Sequence, residues 1–122
     1  MSCSIRYRKV PVDSVLTITC TASDDKVRLA GELGRDGQIV DNWLHAQLFN
    51  ASKELTLDQA AIYAIVIDAA FLGTQTTTVD VVVEVTTPAD RTHSTPKSCR
   101  LEGTRDTLDD CLIDVRVQDA PV

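Results

Sequence analysis

Aromatic residues are scarce in this 122-residue chain, at 4% of the sequence with a single tryptophan. Sugar sites and single-stranded nucleic-acid sites stack rings on aromatic side chains, so this scarcity argues against both. Histidine is scarcer still, with only His45 and His93. No local motif ties either one to a nucleophile, and the glycine-rich phosphate-binding, zinc-protease and serine-hydrolase motifs do not occur. We therefore expect no cofactor and disfavour an enzyme.

Proline and glycine are also few, with four and five residues, while 43% of the chain is hydrophobic. This composition is ordinary for a folded protein and excludes a disordered chain. A length of 122 residues predicts a single domain spanning 1–122, with about two-thirds of its unfolded surface buried. The opening residues are polar, and no apolar run is long enough for a bilayer, so we expect no membrane insertion.

Basic charge is in deficit, because the formal net charge is −6. This balance argues against broad binding of nucleic acid or anionic membranes. Arg6, Arg8 and Lys9 form the one short basic segment that could face nucleic acid. Acidic residues concentrate in 102–119, so the two ends of the chain either dock on one another or form separate solvated surfaces.

Cysteine is present in an even number, but no two cysteines are spaced as in a zinc ribbon or a thioredoxin motif. Four cysteines allow three disulfide pairings, and free core thiols are the alternative. We favour Cys99–Cys111, which flank a predicted hairpin, with Cys3–Cys20 as the second pair. Disulfides would indicate an extracytoplasmic or particle-associated protein.

Alternation of polar and apolar residues is the strongest pattern and predicts a mainly β fold, an antiparallel sandwich of about seven to nine strands. The Asp36-Gly37 pair between two alternating runs predicts a tight hairpin. The predicted strands cover residues 4–12, 15–23, 26–33, 38–49, 62–72, 76–87, 99–102 and 111–118.

The longest apolar stretch, residues 55–85, leaves one choice open. As a strand, residues 62–72 place Tyr63, Ile65 and Ile67 on one core face, which suits their β-branched and aromatic side chains. Capping-box spacing from Thr56 and the run of alanines instead favour a helix at about 57–72. An α+β fold is therefore the alternative.

The sequence from Leu57 through Tyr63 to the alternating Ile65, Ile67 and Ala69 resembles the corner before the sixth strand of immunoglobulin-like and fibronectin type III sandwiches. The resemblance implies a buried leucine and a tyrosine hydroxyl bonded to upstream backbone. The segment 15–23 is similar to the second strand of an immunoglobulin domain. Trp43 lies farther along than the core tryptophan of such domains, so the resemblance concerns architecture only.

The second face of the predicted strand is too apolar for a sheet facing solvent, and it consists of Ile62, Ala64, Val66 and Ala70. Either another subunit or the loop at 86–98 covers it. We therefore predict a non-enzymatic binding or structural module, acting through surface presentation or self-association in an exported assembly or virus-like particle. Its partner is another protein or a second copy of the chain.

Weaker candidate sites remain. The alternative function is a small α+β enzyme or ligand-binding protein with a pocket near Trp43 and His45. Asp106, Asp109 and Asp110 carry oxygen ligands suited to calcium, but we favour a solvated acidic loop over a calcium site.

Overall fold

The alternating sequence folds into nine strands and one short helix within the described residues. The computed structural model describes residues 3–88 and 95–118. Strands make up 71% of the structure, which confirms the mainly β prediction. In chain order the elements are β1 (Cys3–Pro11), β2 (Ser14–Ala22), β3 (Val27–Arg35), β4 (Gln38–Trp43), α1 (His45–Leu48), β5 (Ala51–Leu57), β6 (Ile62–Phe71), β7 (Thr77–Thr86), β8 (Lys97–Gly103) and β9 (Leu108–Gln118).

The strands form two sheets, as in a β-sandwich. The five-stranded sheet has the order β1-β9-β6-β3-β4, and the four-stranded sheet has the order β5-β2-β7-β8. The inward side chains of both sheets share one hydrophobic core. Across the described ranges, no helix has the length and apolar character needed to cross a membrane.

One pairing departs from the predicted antiparallel arrangement. β1 runs parallel to β9, with Ile5 opposite Ile113, whereas all other paired strands in the described residues are antiparallel. A parallel pair requires a long connection, and these two strands are separated by most of the chain.

Residues 62–71 of the long apolar stretch form the strand β6, so the strand interpretation is confirmed and the alternative helix at about 57–72 is wrong. β6 alternates strictly, with Tyr63, Ile65 and Ile67 at most 2% exposed. A helix of the same sequence would be apolar on every side and would need cover all round. The sheet needs only one buried face.

Two other predicted elements need correction. The strand predicted at 38–49 ends at Trp43, and α1 follows it. Gly31 makes room for this turn, because a Cβ there would lie 2.9 Å from Trp43 Cε3 and 3.3 Å from Leu48 Cδ1. β5 was not predicted; it pairs with β2 at a sheet edge and alternates only weakly, because small and charged residues dominate it.

The tight turn predicted at Asp36-Gly37 is present, and the backbone of β1 is interrupted near its end. Asp36 and Gly37 both have positive φ, at 51° and 84°, and connect β3 to β4. β1 is an edge strand and is interrupted before Val10, where Lys9 has a φ of 58°. Aspartate and glycine accept positive φ more readily than most residues, which suits Asp36 and Gly37 to the tight turn.

The corner before β6 has the predicted burial. Leu57 is fully buried and Tyr63 is 2% exposed. The Tyr63 hydroxyl donates to the Asp58 carboxylate at 3.5 Å, not to upstream backbone. The immunoglobulin-like resemblance stays a prediction.

The first strand is tied to the opposite sheet at three points. Cys3 and Cys99 lie at disulfide distance, with their Cα atoms 6.3 Å apart. The Tyr7 hydroxyl donates to the buried carbonyl of Val83 at 2.9 Å. Lys97 Nζ, on β8, donates to the backbone carbonyl of Arg6 on β1 and lies 4.6 Å from the centroid of the Tyr7 ring. Two neighbouring edges of the sandwich are therefore closed together.

The predicted disulfide pairs, Cys99–Cys111 and Cys3–Cys20, are wrong in this structure. β8 and β9 do not form the expected hairpin, because β8 belongs to the four-stranded sheet and β9 to the five-stranded one. Cys20 and Cys111 are free and buried.

Candidate functional site

Among the described residues, exposed large hydrophobic side chains lie on strands of the five-stranded sheet or in segments that adjoin those strands. None of those in the described ranges lies on β2, β5, β7 or β8, the strands of the four-stranded sheet. They are Ile39, Val40, Leu44, Ile62, Leu72, Leu108 and Leu112. The outward side of the four-stranded sheet instead carries many threonines, with a Thr19–Ser52 hydroxyl contact and an Arg100–Asp80 ion pair.

We define the outer apolar face as the outward side of the five-stranded sheet formed by six residues, Ile39, Ile62, Ala64, Val66, Ala70 and Leu112. Val66 lies directly opposite Leu112. Ile62 is 46% exposed and Leu112 is 42% exposed. The loop suggested as a cover includes 89–94, which lie outside the described residues, and its flanking strands belong to the other sheet.

Carboxylates adjoin the outer apolar face. Asp68 on β6 lies directly opposite Asp110 on β9. Burial raises the pKa of the Asp68 carboxyl above its ordinary value, and the charges of Asp110 and Glu32 raise it further. With Arg28 and Leu108, among other residues, Asp68 and Asp110 line a cleft of about 540 Å³. The cleft thus offers negative charge beside apolar surface.

Replacing Asp68 by asparagine is expected to raise the free energy of unfolding at pH 7 by about 0.2–1 kcal/mol, because like charges opposite one another on paired strands are destabilising. Burial and the neighbouring like charges raise the pKa of Asp68, so the destabilisation develops as the pH rises, and the gain should vanish well below pH 3.8, the ordinary pKa. Urea unfolding of the wild type and of Asp68→Asn, at pH 7 and at pH 3, measures the difference in free energy of unfolding at each pH.

Asp80 provides the matched control on the other sheet. Its Oδ1 accepts from Arg100 Nε at 2.8 Å. Asp80→Asn should therefore lower stability slightly or leave it unchanged at pH 7. A loss of stability in Asp68→Asn would contradict the repulsion.

Trp43 and His45 do not line this cleft. Trp43 is 2% exposed, and its indole Nε1 donates to Asp41 Oδ2 at 3.1 Å. His45 Nδ1 accepts from the backbone N–H of Leu29 at 3.0 Å, and its ring lies 4.9 Å from that of Phe49. The His45–Leu29 bond holds α1 against β3, while Trp43 is buried where β4 pairs with β3. A ligand at this position stays a prediction.

The calcium candidates do not converge. Among the described residues, Asp106, Asp109 and Asp110 do not bring three carboxylate oxygens within 4.8 Å of one another. Asp109 is 8% exposed and accepts from the backbone N–H groups of Glu102 and Asp110. Its carboxylate therefore organises the connection between β8 and β9. His93 lies outside the described residues.

The basic segment does meet the acidic one. Arg6 Nε lies 3.7 Å from Asp114 Oδ2 across the parallel pair of β1 and β9. Of the two predicted alternatives, the structure therefore has the one in which the basic and acidic segments dock on one another. Arg6, Arg8 and Arg116 contribute to a depression of about 270 Å³ at this edge. Whether it contacts nucleic acid stays a prediction.

The cysteines form a cluster that the sequence did not predict. Within the described residues, the sulfurs of Cys3, Cys99 and Cys111 all lie within 4.8 Å of one another. Burial raises the pKa of Cys20 and Cys111 to about 11, and for Cys111 the neighbouring Cys20, Asp110 and Asp109 raise it as well. Both free thiols are therefore protonated at neutral pH.

Comparisons of the chain with protein-family models, curated proteins and solved structures found no match. The resemblance to immunoglobulin-like and fibronectin type III sandwiches thus depends only on the short corner motif and the segment 15–23.

Proposed function

We propose that the protein is a non-enzymatic binding or structural module whose outer apolar face docks a partner protein carrying cationic and apolar side chains. The observation that carries this proposal is the asymmetry of the two sheets. The five-stranded sheet and its adjoining segments hold the exposed large hydrophobics, while the other sheet is lined with threonine and charge. Contiguous apolar surface bordered by polar residues is typical of protein interaction sites.

Charge favours a cationic partner over a second copy of the chain. Glu32, Asp68 and Asp110 lie close enough together to raise the pKa of Asp68. The whole chain carries a formal net charge of −6, so two copies repel one another at long range. A lysine or arginine of a partner would relieve the repulsion around Asp68 and form an ion pair beside apolar contacts.

Two recesses in the surface of the five-stranded sheet support the docking of a partner's side chains. The cleft of about 540 Å³ lies where β3, β6 and β9 adjoin. A second depression of about 190 Å³ is lined by Ile39, Ala64 and Val66, among others. Such recesses accept anchor side chains, which contribute most of the energy at many interfaces.

The disulfide-distance pair supports a setting outside the reducing cytoplasm, such as an exported assembly or the surface of a particle. Tying two sheet edges together would help a small module to survive there. The immunoglobulin-like corner would fit the same role, because sandwiches of that type commonly present binding surfaces.

Replacing Val66 by lysine is expected to abolish partner binding, because it places a cation at the centre of the face. We would select a phage-displayed random peptide library on the wild-type protein and measure the affinity of the selected peptides by calorimetry. Enrichment of lysine or arginine next to aliphatic residues is the expected result. Binding should weaken as salt is added.

Val82 is the matched control, since it is a half-buried valine at the middle of a central strand on the other sheet. Val82→Lys should bind the selected peptides as the wild type does. Peptides that bind Val66→Lys equally well, or that lack basic residues, would contradict the proposal. Sedimentation equilibrium tests whether a second copy of the chain occupies the face instead. A wild-type dimer that Val66→Lys dissociates would assign the outer apolar face to a second copy.

A further inference from the structure

The cysteine cluster consists of Cys3 on β1, Cys99 on β8 and Cys111 on β9, and the proposed function does not use it. We propose that, once Cys3 and Cys99 are reduced, the sulfurs of Cys3, Cys99 and Cys111 bind one thiophilic d¹⁰ cation, with Zn²⁺ as the ion tested. The three sulfurs already lie within 4.8 Å of one another. Three thiolates and one open position form a recognised coordination set for such ions.

Forming the site requires the three sulfurs to change their separations by about 2 Å or less. With Zn–S bonds of about 2.3 Å, sulfurs in a tetrahedral site lie about 3.8 Å apart. The Cys111 sulfur, at most 4.8 Å from the other two, therefore needs to approach them by about 1 Å or less, whereas the Cys3 and Cys99 sulfurs, about 2 Å apart when bonded, must separate by about 2 Å once they are reduced. Cys3 and Cys111 are register partners on paired strands, so the sheet itself holds two of the three ligands together.

The third ligand comes from the facing sheet. Cys99 lies on β8, and its Cα is 6.3 Å from that of Cys3. Cys3 and Cys99 are only partly buried, which gives an ion access from the closed edge. Cys20 also points into the core, but its sulfur is not part of the three-sulfur group.

Electrostatics favours a divalent ion. Three thiolates with Zn²⁺ carry one net negative charge, whereas a monovalent ion would leave two, and buried charge is costly. Asp109 and Asp110 add negative charge close to Cys111. A cation at the cluster would be stabilised by both carboxylates.

The chemistry balances with an external reductant. A phosphine or dithiol supplies two electrons, two protons are taken up, and the Cys3–Cys99 bond becomes two thiols. Binding of Zn²⁺ then forms three Zn–S bonds and releases one proton from each thiol. Oxidation and metal binding compete for the same sulfurs, so an oxidised protein should not bind the ion.

The test uses the full chain, reduced with a phosphine and kept free of oxygen. Co²⁺ is added first as an optical probe and is then displaced by Zn²⁺. We expect thiolate-to-cobalt charge-transfer absorption that saturates at one ion per chain and disappears with Zn²⁺. Cys111→Ala should weaken Co²⁺ binding by a factor of about ten or more.

Cys20→Ala is the matched control, because Cys20 is equally buried and also free. It should leave Co²⁺ affinity unchanged. Cys3→Ala is a second variant that removes a ligand, chosen because a substitution at this partly exposed position disturbs folding less. Circular dichroism checks that Cys111→Ala, Cys20→Ala and Cys3→Ala are folded. Absence of the charge-transfer band, equal loss in Cys20→Ala and Cys111→Ala, or equal binding by the oxidised wild type would each overturn the proposal.

Discussion

Replacing Cys99 by alanine is expected to lower the free energy of unfolding of the oxidised protein by about 2–4 kcal/mol. The Cys3–Cys99 pair spans 96 residues, and a covalent link over so long a loop removes much of the freedom of the unfolded chain. Urea unfolding measures the loss. Trp43 is a convenient fluorescent reporter, because the single tryptophan is 2% exposed in the folded state.

The control for this prediction is the redox state itself. With a phosphine reductant and a metal chelator present, wild type and Cys99→Ala should have nearly equal stability, since neither then contains the link. A difference that persists under reduction would mean that Cys99 contributes through packing, and the covalent explanation would be wrong.

Replacing Ile113 by alanine should cost about 2–5 kcal/mol, the range found when a buried aliphatic side chain leaves a cavity. Ile113 is fully buried on β9, the strand that pairs with both β1 and β6. The same urea unfolding experiment measures this loss. Little relaxation is expected, because paired strands hold the backbone on both sides.

Leu112 gives the matched control, as the neighbouring residue on the opposite face, 42% exposed. Leu112→Ala should change stability by no more than about 0.5 kcal/mol. Equal losses for Leu112→Ala and Ile113→Ala would show that β9 does not sit in this register, since a shift by one residue exchanges the two faces.

Much of the fold could be predicted because burial on one face leaves a period of two in the sequence. This held for β2, β3, β7 and β9, and for β6 once the helix was weighed against the cover it would need. The Asp36-Gly37 turn was predictable because few residue types accept positive φ. The apolar second face of β6 was visible for the same reason.

The rest depended on contacts between distant residues. β5 was missed because an edge strand with short polar residues lacks strong alternation, and α1 was missed because four residues are too few for a helical period. The cysteine pairing failed because the sequence does not show which sheet each strand joins. Inward-facing positions for Cys20 and Cys111 were predictable; their approach to Cys3 and Cys99 was not.

The position of β9 has a consequence for how the chain folds. β9 lies between β1 and β6, so neither of these strands has its full set of partners until residues 108–118 have been synthesised. β1 must therefore wait for β9, and closing so large a loop slows the search for the native pairing. Before β9 pairs with them, the edges of β1 and β6 are open to other chains. Aggregation is therefore the greatest hazard in the interval between the synthesis of β6 and the pairing of β9.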